Sequence, residues 1–549
     1  MFFAELPPPP PPAIIAPAVI DTRIRLNTIG FSPEAQKQAT IGAPCEKFRI
    51  VRVSDQGVVF DGQAGRPLAT AVADTNETVQ IIDFSAVTTP GQYRVEISGV
   101  GVSATFTIGR EIWNQPFEVV TRAMYLWRCG TAVETTFNGV TFRHGTCHTE
   151  DGWLDYVGGE HTQRKSPGGW HDAGDYNKYV VNAGITVGMM LKAWEQFPEQ
   201  VATDSLGIPE SGNKVPDLLD EVRFEAEWLF TMQADDGRVY HKVSALNFRF
   251  WGSPDKDDSP RYFASWSTVA TADFTAMMAE IARAWRPFDE KFSARCLEAA
   301  KKSWAVLQQH PEQVDADQKA FKTGAYAAKD TSHRLWAAVE LWEATGEPSY
   351  LKEFETRAKE FSYELSRFGP NWGDVQDLAY ATYLMSSHAT ERDINSVSIL
   401  TKNFISRANE IVATSQSHAY RRPMGGESPT WWWGCNGNAA SQTLILHLAD
   451  RLKPNPAYRA TALCALDHLF GRNFDGRSYV TGLGALPPIH PHDRRGEPAW
   501  PGYLVGGSNP DGRSWKDELA SYRTNEIAIN WNGSLIYAIA AFAEPKSAK

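Results

Sequence analysis

Three carboxyl groups frame the question of what this chain does. Asp172 and Asp175 stand three apart in GGWHDAGDYNKYVVNAG (168–184), with Gly174 between them and an apolar run behind. Glu526 lies far downstream in SYRTNEIAINWNGSLIYAI, after a long loop, and reads as part of the first turn of the last helix. Acids at such positions can cap a helix or complement its dipole. They can also divide a hydrolysis between them. Glycosidic bond cleavage needs one carboxyl that stays protonated for the leaving oxygen and one that stays ionised for water or for attack.

Two further clusters have metal-ligand chemistry. Cys129, Cys147 and His148 are spaced C-x17-C-H, and His171 directly precedes Asp172. Four N/S donors suit a closed zinc site, with His144 and His161 as alternative fourth ligands. Two buried thiols beside a His-bearing loop is the competing reading. In IPESGNKVPDLLDE (208–221), Glu210, Asn213, Asp217 and Asp220 offer hard oxygen donors, with Asp217 and Asp220 one turn apart. That density suits calcium, although a capped helix with acids in its first turn looks the same. In SPTWWWGCNGN, Trp431, Trp432 and Trp433 are consecutive, so they cannot all face one core. At least one belongs at a cleft wall, where flat rings take the apolar faces of sugars.

The elements that must hold these groups fall into two parts. Over 22–109, runs such as KFRIVRV and QYRVEI alternate apolar and polar residues, placing Tyr93, Val95 and Ile97 on one face. Short strands with turn residues between them predict an immunoglobulin-like β-sandwich. From 110 to 549 the period lengthens, and about a dozen amphipathic runs predict a ring of helical hairpins, an (α/α)6 barrel. The helix-poor stretches 130–175 and 471–523 are where loops could build a cleft. Residues 1–21 form a Pro-rich segment whose run Pro7–Pro12 reads as a polyproline II spacer.

Composition narrows the partners. At 549 residues the chain is too long for one core. Its net charge of −11 argues against nucleic acid, and no apolar run is long enough to span a membrane. Six cysteines are too few for a disulfide scaffold. The N-terminus lacks a basic start and a small-residue cleavage site. The chain is therefore expected to be cytoplasmic, or secreted with its signal not present in this sequence. A monomer without an organic cofactor is expected.

Four motifs in order resemble glycoside hydrolase family 9, in the subgroup with an immunoglobulin-like domain before the barrel. They are RLNTIGFSPEAQKQATI, GGWHDAGDYNKYV, GRNFDGRSYVTGLGALPPIHPHDR and DELASYRTNEIAINWN. The resemblance implies inversion: Asp175 as the base that activates water, Asp172 helping to hold that water, and Glu526 as the general acid. It implies sugar contacts from His492 and Arg494, with Asp493 standing where the family has a second His. It matches Tyr522 to a Tyr near the acid. It also implies a structural zinc at Cys129, Cys147, His148 and His171, and a calcium at Glu210, Asn213, Asp217 and Asp220. A second family calcium site is expected to be absent or altered, because DTSHRLWAA places His333 and Arg334 where acids belong. The expected activity is endo-β-1,4-glucanase on cellulose or β-glucan. An exo-acting glucosidase, cellodextrinase or glucosaminidase on the same fold is the first alternative, and a non-catalytic carbohydrate-binding protein the second.

Overall fold

The computed structural model describes residues 19–545; the proline run lies outside them. The N-terminal part is a sandwich of two sheets. One orders the strands Ile24–Arg25, Gln38–Ile41, Thr78–Asp83 and Leu68–Ala69. The other orders Gly30–Phe31, Phe106–Ile108, Gly91–Ile97, Lys47–Arg52 and Val58–Gln63, with Gly101–Val102 paired to Gly91–Ile97. Alternation puts Phe48, Ile50, Tyr93 and Val95 inward, against Ile24, Ala39, Ile41 and Ile82 of the facing sheet. Phe31 packs edge-on against Phe84 and Phe106, each at 5.5 Å.

Among the described residues the helical part is built on twelve main helices. They are Asn114–Tyr125 (α1), Val180–Gln196 (α2), Asp217–Met232 (α3), Thr268–Trp285 (α4), Glu290–Gln309 (α5) and Thr331–Thr345 (α6). Pro348–Glu360 (α7), Gln376–Met385 (α8), Ile394–Ser417 (α9), the run 435–452 broken at Gln442 (α10), Pro456–Leu469 (α11) and Ile529–Ala540 (α12) complete the set. α2 packs on both α4 and α12, α4 on α6, α6 on α8, and the start of α10 on α12. These inner helices are buried nearly all round, and the charges they bury are paired: Lys192 with Glu280 and Glu340, and Asp273 with His333. α5, by contrast, buries one stripe and exposes the other.

The helical part also carries strands that its periodicity did not announce. A hairpin pairs Val133–Phe137 with Val140–His144. A second sheet orders Gly159–Gln163, Trp153–Leu154, Arg261–Phe263, Lys242–Ala245 and Lys178–Tyr179. None exceeds five residues, too short for alternation to stand out against loop sequence. No helix among the described residues is long and apolar enough to cross a membrane.

The two parts meet along a polar seam. Asn27 donates to Asp467 (3.0 Å), Thr40 to the Ala419 carbonyl (3.0 Å), and His418 pairs with Asp74 (3.0 Å).

Candidate active site

Neither acid of the 172–175 turn caps the helix behind it. α2 starts at Val180, and its N-cap Tyr179 makes no side-chain cap bond. The turn is instead stitched to two distant segments. Ile529 N–H donates to the Asp172 carbonyl (2.9 Å), and Arg494 N–H to the Gly174 carbonyl (3.0 Å). His492 N–H donates to the Asn525 carbonyl (2.8 Å), so all three segments lock together. Gly174 is required by this contact, because a Cβ there would sit 2.1 Å from the His492 carbonyl oxygen.

Glu526 does not open the last helix, contrary to the sequence reading. It follows a one-turn helix, Tyr522–Asn525, in extended backbone (φ −70°, ψ 155°), and α12 begins only at Ile529. Asn525 explains the break: its side chain accepts from Trp515 and donates to the His490 carbonyl, tying the segment to the long loop before it. The extended link leaves the Glu526 side chain half-buried beside the 172–175 turn.

Each carboxyl has a distinct environment. Asp172 accepts from Asn182 Nδ2 and from the Tyr326 hydroxyl, both at 2.7 Å. Asp175 accepts through Oδ2 from Asn177 (2.5 Å) and Tyr179 (3.2 Å), while its buried Oδ1 has no partner. Burial raises all three acids. Asp172 is pushed well above the carboxylate range, with the Asp175 charge adding to burial and Tyr326 and Asn182 opposing. Asp175 is raised too, but the Arg494 charge and its hydrogen bonds to Asn177 and Tyr179 hold it down. Glu526 is raised well above its usual range by burial and then by the charges of Asp175 and Asp172. Arg494 and a hydrogen bond from Trp433 oppose the rise. Near neutrality the arrangement favours a protonated Glu526 beside an acid pair that carries the negative charge.

Arg494 is 8% exposed, with an Nη1 that has no partner, and lies over Phe248 (5.0 Å) and Trp251 (5.1 Å). His492 stacks edge-on against Trp251 (5.2 Å), and burial lowers its pKa, favouring the neutral ring. Asp493 turns away: it is 1% exposed and clamps Arg495 (2.7 Å), which reaches the Leu126 carbonyl and the Tyr503 hydroxyl. The departure at this position therefore builds an anchor beneath the loop.

The three tryptophans divide as their backbone turns. Trp431, one of the three candidates for the sugar contact, is a core residue under the Arg422 guanidinium (3.7 Å) and is not the ring at the cleft wall. Trp432 packs on Phe368 (5.1 Å). Trp433 is 46% exposed and meets the exposed Tyr522 at 5.4 Å. Trp372, Trp432 and Trp433 line a cavity of about 330 Å³. Sequence reasoning missed Tyr326, Asn182, Tyr179, Trp372, Phe248 and Trp251. The aromatic cluster in NFRFWGSP was a legible signal for the last two, since both are exposed in a Gly/Pro loop. Nothing local marks Asn182 or Tyr326.

Among the described residues, one His/Cys/acid group converges as metal ligands would: Cys129, Cys147, His148 and His171, their ligand atoms all within 4.8 Å of one another. Cys129 Sγ lies 3.7 Å from His148 Nδ1, and Cys147 Sγ 3.7 Å from His171 Nε2. Two thiols and two imidazoles at these separations fit tetrahedral zinc. Burial keeps His171 neutral, with its pKa lowered to about 3, as a ligating imidazole must be. His148 Nε2 meets Asp257 (3.4 Å) on its far side, the usual way such a ring is oriented. His144 pairs with the Gly145 carbonyl, and His161 is exposed beside Asp155, so neither completes the set. The cluster ties the end of α1 to the 172–175 turn. Cys129 N–H donates to the Gly169 carbonyl and His171 N–H to the Trp127 carbonyl, both at 2.8 Å.

The 208–221 acids are only partly free. Glu210 is taken by Arg128 in a two-pronged ion pair (2.9 and 3.0 Å), and Asn213 donates to both oxygens of Asp220 (3.1 Å each). Asp217 keeps a buried Oδ1 without a partner. Asp220 is pushed to about 7 by burial and by the neighbouring Glu210, Asp217 and Glu221 charges. At the DTSHRLWAA stretch, Arg334 pairs with Asp330 (2.8 Å) and His333 with buried Asp273 (2.6 Å).

The glycosyl hydrolase family 9 profile matches residues 113–539, and that of the cellulase N-terminal ig-like domain residues 20–102. The chain is 47% identical over 538 residues to Endoglucanase D of Acetivibrio thermocellus, covering 96% of this chain and 81% of that protein. It is 32% identical over 552 residues to a xyloglucan-specific endo-beta-1,4-glucanase of Bacteroides ovatus, covering 93% and 92%. A crystal structure of a metagenome-derived glycoside hydrolase family 9 endoglucanase superposes with a TM-score of 0.88. It is 33% identical and covers 95% of this chain and 98% of that one.

Proposed function

Because this chain belongs to glycosyl hydrolase family 9, we propose that it is an inverting endo-β-1,4-glucanase acting on cellulose or a related β-glucan. The observation that carries the reading is the buried, unpartnered Oδ1 of Asp175 in a site where burial and the charges of Asp175 and Asp172 hold Glu526 well above its usual range. Asp175 takes a proton from water as its oxygen attacks the anomeric carbon. Glu526 gives its proton to the glycosidic oxygen as the bond from that carbon breaks. Exchange with solvent then resets both carboxyls. Asp172, fixed by Asn182 and Tyr326, helps hold the water. Arg494, His492, Tyr522 and Trp433 contact the sugar, the last three along one aromatic row with His492 6.0 Å and Trp433 5.4 Å from Tyr522. Inversion requires the base and the acid to stand about 6.5–9.5 Å apart, which leaves room for the water, whereas a nucleophilic route brings them to about 5–5.5 Å.

Cys129, Cys147, His148 and His171 would hold zinc, and that ion would supply a crosslink behind the catalytic turn. Asp217 and Asp220, with Asn213, would hold calcium, whose charge would offset the crowded acids; Glu210 is the weakest member of that set because Arg128 occupies it. A polymeric substrate that cannot enter a cell places the protein outside it.

The test uses Glu526→Gln. Hydrolysis of unactivated cello-oligosaccharides should fall by about 10³-fold or more, while aryl glycosides with good leaving groups lose far less. Equal loss on both would make Glu526 structural. Proton NMR of the first products should show the α-anomer, and a β-anomer would replace inversion with a covalent intermediate.

A further inference from the structure

The two tyrosines that touch the acid pair are not independent of each other. Tyr179 donates to Asp175 (3.2 Å), and its hydroxyl oxygen accepts from Gly324 N–H (3.1 Å). Tyr326, two residues past Gly324, donates to Asp172 (2.7 Å). The two rings pack at 4.9 Å, and a Cβ at Gly324 would sit 3.1 Å from the Tyr326 ring and 3.2 Å from the Tyr179 ring. Residues 321–326 thus form a strap across both carboxyls. Tyr326 is in left-handed backbone (φ 43°), which a bulky residue keeps only where its surroundings impose it.

The strap is held along the strand Lys242–Ala245 and its flanks. Lys322 N–H donates to the Leu246 carbonyl (2.7 Å), and His241 Nε2 to the Ala325 carbonyl (2.8 Å). Lys242 stands directly opposite Tyr179 in the strand register and is 0% exposed. Its ammonium donates to the Gly324 carbonyl (2.7 Å) and the Thr323 hydroxyl (3.2 Å), and lies over the rings of Phe321 (4.7 Å) and Tyr179 (5.5 Å). Ser244 gives its own proton to the Ala245 carbonyl (2.7 Å), so Thr323 donates to Ser244 (2.7 Å) and has its oxygen free to accept from Lys242. Gly324 is therefore fixed from both sides, its carbonyl by Lys242 and its N–H by Tyr179. Burying an ammonium on neutral partners is costly. Burial lowers Lys242 to about 7, and the charges of Asp175 and Asp172 resist that fall.

We propose that Lys242 is a positioning residue for the acid pair: by clamping the 321–326 strap it sets the Tyr179 hydroxyl on Asp175 and the Tyr326 hydroxyl on Asp172. The inference rests on the glycosidase reading above, in which Asp175 activates the water. Without the clamp the Gly324 carbonyl loses its donor and the Tyr179 hydroxyl its fixed partner. Loss of one positioning hydrogen bond at a reacting carboxyl costs about 10-fold in kcat. KM is spared, because the sugar contacts Arg494, His492, Tyr522 and Trp433 lie on other segments.

Lys242→Met keeps the stem and removes the charge and its donors; Tyr179→Phe removes the hydroxyl. Both variants and their double are measured for kcat and KM on cellotetraose, with hydrogen exchange of the 318–328 segment followed by mass spectrometry. Lys242→Met should lower kcat about 10-fold, leave KM within about 2-fold, and speed exchange in the strap more than elsewhere. Because Lys242 acts largely through Tyr179, the double variant should lose far less than the product of the two single losses. A purely structural role gives losses that multiply, and that result overturns the proposal, as does a Lys242→Met kcat within about 2-fold of the parent. If Lys242→Met does not fold, Thr323→Val removes one of its acceptors and takes its place in the same cycle, with a smaller kcat loss and the same shortfall from the product expected. An active parent with either overturning result leaves the glycosidase reading intact; a parent that cleaves no β-glucan or cello-oligosaccharide ends that reading and the proposal with it.

Discussion

Gly174→Ala adds one methyl group between the two acids of the catalytic turn, and its effect can be worked from contacts. The new Cβ would lie 2.1 Å from the His492 carbonyl oxygen, where real Cβ atoms come no closer than 3.0 Å. The turn and the 492–494 segment must therefore separate by about 0.9 Å. Both partners are backbone, so no side chain can swing aside to relieve the clash. The hydrogen bond from Arg494 N–H to the Gly174 carbonyl (3.0 Å) lies across the same contact and stretches with it. Gly174 is not in left-handed backbone, so the penalty is contact alone. A displacement near 1 Å at a reacting group costs about 10²-fold in rate, equal to about 2.7 kcal/mol of activation free energy. Overpacking of this kind lowers stability by about 1–3 kcal/mol. The assay is kcat and KM on cellotetraose, with thermal melting and zinc content measured on the same preparation. The expected outcome is a kcat near 1% of the parent, KM changed little, a lower Tm and unchanged zinc. A kcat within about 3-fold of the parent would refute the idea that this backbone contact positions Asp172 and Asp175.

Arg494→Met removes a charge that lowers both Asp175 and Glu526. Asp175 must be ionised and Glu526 protonated, so activity rises with pH through the first pKa and falls through the second; both limbs of the pH–rate profile should move to higher pH, besides any loss of kcat. Cys147→Ser should lower zinc content, Tm and activity together, with the pH–rate profile keeping its shape; full activity in zinc-free protein would refute the crosslink. Trp433→Ala should raise KM on oligosaccharides and shift the alkaline limb upward by removing a hydrogen bond that lowers Glu526, whereas Trp431→Ala should act chiefly on Tm. Calcium should raise the Tm of chelator-treated protein above pH 7, where Asp220 is ionised; Asp217→Asn should abolish that rise, and a parent Tm indifferent to calcium would remove the ion from the 208–221 stretch.

Local pattern was enough to read the two-part architecture. Period-two alternation marks Gly91–Ile97, and apolar residues recurring at helical spacing mark α2 and α4, because the buried face is written into residue order. The DAGD turn was legible for a similar reason, since two acids and a glycine in four residues leave a dense signature, whereas the Cys/His spacing spreads over 43 residues and stood out only through the family resemblance. Tertiary structure decided everything that depends on which face a residue presents once distant segments meet. Trp431, Trp432 and Trp433 are adjacent in sequence, yet one is core and one is exposed, because the turn ending at Gly434 (φ 92°) rotates each ring differently. Asn182 and Tyr326 become partners of Asp172 only because α2 and the 321–330 loop converge on it. Glu526 carries the clearest case. Its residue type suggested a helix N-terminus, but hydrogen bonds that the Asn525 side chain donates to the 490–517 loop end the preceding turn and hold Glu526 extended. Helical periodicity is a local energy, and here long-range bonds to a loop outweigh it, setting the acid against Asp175 rather than in a helical turn.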